Sequence, residues 1–264
     1  MALPRKMTPP QILILHATGV NRDHEAAQAV AQAGGQPRIL HVNQLRERPA
    51  HLHDYHMLVL PGGFSYGDAL GAGRLWAADL RWLFQDELAR FVEAGKPVLG
   101  ICNGFQALVK SGWLPGPPQA GAQATLTRNA SNRFECRWVW LEPDPLGPCV
   151  FTRGLTERIH CPVAHGEGRF VPRDEAVLQA LRAQRQLALT YVSADGGPPP
   201  YPDNPNGSVG DVAGVCNPQG NIFGLMPHPE DHILPWQHPR RTRGEHGHLG
   251  LALFSQGVRY AAEL

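Results

Sequence analysis

Short apolar runs alternate with longer amphipathic stretches through the first half of the chain. Ile12 to Leu15 is a run of four apolar residues, short enough for a buried strand. Asn21-Arg22-Asp23 can cap a helix from about Asp23 to Ala33, which Gly34-Gly35 ends. Arg38 to Val42 and Met57 to Leu60 read as the next strands. Asp79 to Ala94 carries Leu80, Leu83, Phe84, Leu88, Phe91 and Val92 at helical spacing and is predicted as one amphipathic helix. Pro97 to Ile101 is a further buried strand, and Asn103 to Lys110 resumes a helix. Strand and helix alternating in this order predict a parallel sheet covered on both faces.

From Gly121 onward the pattern turns to strands, over Ala122 to Thr127, Glu135 to Leu141, Leu187 to Val192, Asp211 to Cys216 and Asn221 to Leu225. Asn217-Pro218-Gln219-Gly220 is a turn signal that makes the last two a hairpin. Gly250 to Ala262 reads as the closing helix, and Pro198 to Pro205, with five prolines in eight residues, as a shaped loop. There is no internal repeat. One domain over residues 11–264, after an extension of residues 1–10, is the expected organisation.

Composition narrows the function classes. The 24 Lys and Arg against 23 Asp and Glu leave a net charge of +1, which gives no footprint for nucleic acid or an acidic membrane. Five cysteines, at 102, 136, 149, 161 and 216, form no C-x-x-C pair, which disfavours a disulfide framework and a Cys-rich zinc site. No apolar run reaches the roughly 18–20 residues of a membrane span, and residues 1–11 lack the apolar core of a signal peptide. A cytoplasmic protein is expected.

The most informative local feature is Gly100-Ile101-Cys102-Asn103-Gly104-Phe105-Gln106, where a buried strand runs into Cys102 and a helix starts at once. Ligands in open α/β sheets sit at the carboxyl ends of strands, and a sharp strand-to-helix turn presents a nucleophile there. The helix N-terminus stabilises a thiolate. A buried structural cysteine is the competing reading. Pro61-Gly62-Gly63 closes another strand, and its N–H groups, with that of Asn103, can face an oxyanion. A plain turn or a phosphate-gripping loop is the alternative there. His228, in Met226-Pro227-His228-Pro229-Glu230, can serve as the base, with Glu230 orienting it.

Together these segments resemble the class I (triad) glutamine amidotransferases, and within that class the PurQ family, glutaminase subunits of phosphoribosylformylglycinamidine synthase. The Gly-x-Cys-x-Gly-x-Gln pattern at 100–106 and His228-Pro229-Glu230 carry the class. PGGFSYGD at 61–68, RFECRWV at 133–139, AHGEGRF at 164–170, YPDNPNGS at 201–208 and GLMPHPE at 224–230 carry the family. The resemblance implies a flavodoxin-like three-layer α/β sandwich with a central mixed, mainly parallel sheet. It implies that Cys102, His228 and Glu230 hydrolyse L-glutamine to glutamate and ammonia. Gly62, Gly63 and Asn103 would form the oxyanion hole, with Gly63 the preferred donor. Gln106, His165, Gly166 and Glu167 would contact the substrate.

By the same resemblance the ammonia passes to the synthetase PurL, with a small third subunit, PurS, bridging the pair. There ATP drives conversion of formylglycinamide ribonucleotide to the amidine, a step of purine biosynthesis. No Gly-x-x-x-x-Gly-Lys loop occurs here, so ATP and Mg2+ are expected on PurL, and no cofactor or metal on this chain. The stretch from Asp231 to Gly247 departs from the family, which usually has acidic or neutral residues there. Its His232, His238 and His246, with His248, match no standard zinc spacing and are expected in a solvated or partner-facing loop. Arg240-Arg241-Thr242-Arg243 is read as a solvated turn or a contact for an acidic patch on PurL. The rival readings are another cysteine hydrolase on this scaffold and a non-catalytic binding subunit.

Overall fold

In the computed structural model, which describes residues 8–264, the apolar runs of the first half form one side of a nine-stranded sheet. Residues 1–7 of the expected extension lie outside the described residues. The chain runs through β1 (Gln11–His16), α1 (Asp23–Gln32), β2 (Gln36–His41), α2 (Val42–Glu47), β3 (Met57–Leu60), α3 (Arg74–Trp82), α4 (Gln85–Glu93) and β4 (Val98–Ile101). There follow α5 (Asn103–Lys110), β5 (Ala124–Thr127), β6 (Glu135–Pro143), β7 (Ile159–His165), β8 (Arg169–Pro172) and α6 (Glu175–Ala183). The last elements are β9 (Leu189–Val192), β10 (Val212–Cys216), β11 (Ile222–Leu225) and α7 (Leu251–Ala262).

Across the sheet the order is β2-β1-β3-β4-β11-β10-β9-β6-β7, and β5 and β8 form a separate antiparallel pair. The pairings from β2 to β11 are parallel and those from β11 to β7 antiparallel, so seven of the nine strands point the same way. β3 and β4 are buried at every position, as central strands between two helical layers must be. The expected α/β sandwich is therefore the observed one.

The helices settle onto the sheet through close backbone approaches. On one face α1 and α7 pack together, and Gly257 of α7 lies against Met57 and Phe151. On the other, α5 presses on β3, β4 and β11. A Cβ at Gly104 would lie 2.0 Å from the Leu60 carbonyl oxygen, one at Gly100 2.6 Å from Leu108 Cδ1, and one at Gly224 2.1 Å from Phe105 Cδ2. The glycines around Cys102 thus set how deeply the helix after it sits.

The β6–β7 hairpin curls back over the strand ends. Although β7 is the far edge of the sheet, its Pro162 carbonyl accepts a hydrogen bond from the His228 N–H at 2.8 Å. Pro162 is tolerated because an edge strand need not donate on both sides.

Three expectations need correction. The single helix over Asp79 to Ala94 is two helices, α3 and α4, broken at Leu83-Phe84. Phe84 leaves helical geometry at φ −125° to bury its ring, and Asp86 and Glu87 suit the N-terminal turn of a new helix. β7 and β8 were not expected, because Pro162 and three histidines or cysteines hide the apolar alternation of β7. α6 was missed too, despite a cap: the Asp174 carboxylate accepts from the Val177 N–H at 2.9 Å.

Gly104→Ala should therefore destabilise the protein by about 1–3 kcal/mol, since its methyl has no space beside Leu60. Gly166→Ala, whose Cβ would meet only Phe134 at 3.8 Å, should stay within about 0.5 kcal/mol. Urea denaturation of the two variants checks this.

Candidate active site

Cys102 stands where β4 ends and α5 begins, with φ 48° and ψ −101°. A non-glycine residue at positive φ is strained, and the strain persists only where the surroundings impose it. Here the Cys102 N–H donates to the Leu225 carbonyl at 2.8 Å, and its own carbonyl accepts from the Gln106 N–H at 3.0 Å. The residue is pinned between the end of β11 and the first turn of α5. Its side chain is 5% exposed, and Sγ lies 3.8 Å from the Ala164 carbonyl of β7.

Beside it, His228 and Glu230 are both buried, and His228 Nδ1 is 2.7 Å from Glu230 Oε1. Two prolines hold the short segment between β11 and the turn at Pro229–Asp231. His228 Nε2 has no hydrogen-bond partner among the described residues. Burial lowers the affinity of this imidazole for its proton, but the Glu230 carboxylate and then Cys102 outweigh it and carry the pKa well above 6.5. His228 is thus held ready to carry charge. Its ring packs on Gly62, where an added Cβ would come within 2.7 Å of Cε1 and 3.5 Å of Cys102 Cβ.

Cys102 lies in the wall between two spaces. One, of about 150 Å³, is bordered by Asp68, Gln106, His165, Gly166 and Glu167. The other, of about 170 Å³, is bordered by Asn21, Arg22 and His228. Gly63, Phe64, Phe134 and Ala164 border both. Gly63, at φ 142°, is locked against the loop at residues 19–21 by a bridge to Val20. Asn103 ties this loop to α5: its Oδ1 accepts from the Ser65 N–H at 3.0 Å, and its Nδ2 donates to Asp68 at 3.1 Å and Gln106 at 3.0 Å.

A strand-end cysteine beside a buried His–Glu pair, opening on two cavities, is a set of groups that can carry acyl transfer. A family model described as a CobB/CobQ-like glutamine amidotransferase domain matches residues 9–261. The phosphoribosylformylglycinamidine synthase subunit PurQ of Treponema denticola is 47% identical over 95% of this chain and 98% of its own length. The chain belongs to the PurQ family of glutamine amidotransferases. The PurQ of Dehalococcoides mccartyi is 43% identical over 98% of this chain and all of its own. A chain of the PurLQS structure from Thermotoga maritima superposes with a TM-score of 0.73 at 32% identity, over 96% of this chain and 99% of that one.

Every residue expected at the site of this PurQ-family chain comes to one place, but they do not stand alike. Of the two glycines, Gly63 borders both cavities, while Gly62 is packed behind the His228 ring. Gln106 borders the cavity with its amide already engaged, donating to the Glu167 carbonyl at 2.8 Å and accepting from Asn103. Glu167 Oε2 accepts from the Ala72 N–H at 3.3 Å and lies 3.6 Å from Lys110. His165 is buried with both ring nitrogens unpartnered, and burial, followed by the charge of His228, pushes its pKa down to about 3. Its imidazole is neutral and packs on Gly168.

Sequence reasoning missed Asn129, Asp68 and Phe134. Asn129 shapes the His165–Gly168 turn, its Nδ2 donating to the His165 carbonyl at 2.8 Å and its Oδ1 accepting from the Gly168 N–H at 2.9 Å. No motif signalled Asn129, whereas Asp68 and Phe134 stood inside the quoted strings at 61–68 and 133–139.

The segment after Glu230 was expected as a solvated or partner-facing loop, and most of it is exposed, but two of its histidines are not. His232 and His238 are buried and join His160 and His248 around Trp138 and Trp140, with Trp140 stacked on His160 at 4.3 Å. His160 Nδ1 lies 3.1 Å from His238 Nε2, while His246 stays exposed. Aromatic partners supply here what charge could not, because burial, then the neighbouring imidazoles, lowers the His160 pKa to about 4. Burial likewise lowers His232. Arg240, Arg241 and Arg243 remain exposed.

These histidines predict an acid-side instability. In the unfolded chain they titrate near 6.5, and in the folded one His160, His165 and His232 lie lower, so the unfolded state takes up protons first. Their stability is whole above about pH 6.5 and is lost as pH falls toward 4. His228 has the opposite sign: its pairing is complete below 6.5 and fades only as pH rises through its raised value, so it does not mask the loss. The free energy of urea unfolding should fall between pH 7 and pH 5 by on the order of 1–3 kcal/mol, with the Asp231 carboxyl, raised to about 6 by burial and then Glu230, offsetting part of the loss, and His160→Phe should flatten the slope.

Proposed function

We propose that this chain is the ammonia-producing subunit of phosphoribosylformylglycinamidine synthase, and that Cys102, His228 and Glu230 carry its glutaminase chemistry. The observation that carries the reading is the strained Cys102 at the strand-to-helix turn, set beside the buried His228–Glu230 pair and opening on two cavities. The glutamine side chain enters the cavity bordered by Gln106 and Glu167. Cys102 gives its proton to His228 Nε2, forming the thiolate–imidazolium pair that the raised His228 pKa favours, and Sγ then attacks the amide carbon. The oxyanion that forms meets the N–H of Gly63 and that of Asn103, which as the first residue of α5 has no intrahelical acceptor. Gly62 supports this hole by its close packing on His228.

His228 then delivers the proton to the departing nitrogen, and the C–N bond breaks to release ammonia. A γ-glutamyl thioester is left on Cys102. Water attacks it after giving a proton to His228, the C–S bond breaks, and Sγ recovers that proton as glutamate leaves. Glu230 holds the imidazole in orientation and stabilises its charged form throughout. The space bordered by Arg22 and His228 suits the arriving water and the leaving ammonia. Gln106, His165, Gly166 and Glu167 shape the glutamine cavity, His165 as a neutral wall.

The ammonia is consumed by PurL, with PurS completing the complex, and ATP and Mg2+ act on PurL. The PurLQS assembly of the Thermotoga maritima relative supports this partnership. Residues 11–264 act as one domain. All five cysteines are free, which fits a cytoplasmic site, and among the described residues no helix is long and apolar enough to cross a membrane.

Glutamine-dependent ammonia release by the purified chain, alone and with PurL and PurS, tests the proposal. Release should rise when the partners are added, disappear in Cys102→Ala and fall by about 10²–10⁴ in Glu230→Gln. Release that ignores PurL would retain the hydrolysis and refute the partnership.

A further inference from the structure

A larger groove, of about 390 Å³, runs between α3 and β5, away from Cys102. Small side chains floor it, Ala77 and Ala78 on α3 and Ala122 and Ala124 at β5. Its rim carries Arg74, Arg81 and Trp82. The two arginines are seven residues apart, about two helical turns, and so share one side of α3. Among the described residues neither has an ion-pair partner. Lys110, on the inner wall, is matched by Glu167 at 3.6 Å, which leaves the arginines as the uncompensated charge. Trp82 is 77% exposed, with the Arg81 guanidinium over its ring at 5.5 Å. Exposed Trp and Arg together are the composition of energetic centres in protein contacts.

The opposite wall is a strand edge. β5 pairs with β8 on one side only. The groove touches Ala124 and Thr125, consecutive residues whose side chains point to opposite faces, and a strand's edge is what the two share. The outer side of β8 is already covered, because the Phe170 N–H donates to the Ser208 hydroxyl at 3.0 Å and the Arg169 side chain donates from Nε to the Gly207 carbonyl at 3.0 Å. An unpaired edge beside a groove is a template for a further strand.

We propose that the groove between α3 and β5 receives an extended acidic segment of a partner subunit, which pairs with β5 as a third strand and sets carboxylates against Arg74 and Arg81. The proposal rests on the reading that the chain works within a synthetase complex. A strand is chosen over a small anion because it satisfies the backbone edge, the alanine floor and the arginine rim together.

The test measures affinity of the full-length chain and of Arg74→Glu/Arg81→Glu for purified PurL and PurS, at low and high salt. Hydrogen exchange on the wild-type complex is followed alongside, and circular dichroism of the variant shows that it folds. The expected results are amide protection across residues 122–127 on complex formation, a loss of affinity of about 10-fold or more in the double variant, and a weaker salt dependence. Wild-type affinity in the variant, without protection of β5, overturns the groove alone. A wild-type chain that binds neither subunit overturns the proposed function with it. Saturable binding of AMP or inorganic phosphate that requires both arginines, with partner affinity unchanged, assigns the groove to a small anion and also overturns the proposal.

Discussion

The backbone of Cys102 is the constraint on which the rest of the site depends. Its positive φ turns a buried strand into a helix within one residue, and nothing in the cysteine itself favours that conformation. The conformation is imposed from three sides. Gly104 lets α5 sit against the Leu60 carbonyl, Gly100 lets Leu108 sit against β4, and β11 supplies the Leu225 carbonyl that holds the Cys102 N–H. β3, β4 and β11, each buried at every position, hold the turn in place.

Around that fixed point the remaining groups arrive by different routes. The loop at 61–68 is brought in by the Asn103 side chain and anchored to the loop before α1, where the Phe64 N–H donates to the Gly19 carbonyl at 3.0 Å. His228 comes from the end of β11 and is fixed by β7, which curls over the strand ends to accept its N–H. The His165–Gly168 turn is braced by Asn129 and, beneath it, by the loop at 201–208, where Ser208 reaches Phe170 and Asn206. The long strings at 164–170 and 201–208 are thus mutually packed pieces of one wall.

Much of this was legible in the sequence, for identifiable reasons. The parallel half of the sheet announces itself because its strands are continuous apolar runs, and Met57–Leu60 and Asn103–Lys110 fall where the pattern puts them. Cys102 and the His228–Glu230 pair could be placed together from the sequence because each follows directly on the end of an apolar strand. The break at Leu83-Phe84 was not legible, since both halves keep a helical period, and neither was β7, whose residues meet the hairpin, Trp138 and the loop that carries His228 at once. The histidines after Glu230 misled most: polar letters in a basic stretch read as solvent-facing, yet His232 and His238 are buried because Trp138 and Trp140 offer rings to stack on. That partnership is long-range and has no local signal.

In the proposed mechanism the strained cysteine carries the acyl group. The decisive experiment mixes the chain and its partners with glutamine, quenches in acid within the first turnover, and maps the adduct by peptide mass spectrometry. A γ-glutamyl adduct is expected on the peptide containing Cys102, and none on the exposed Cys136. Glutamine consumed with no adduct on Cys102, or with the adduct on another residue, would contradict it.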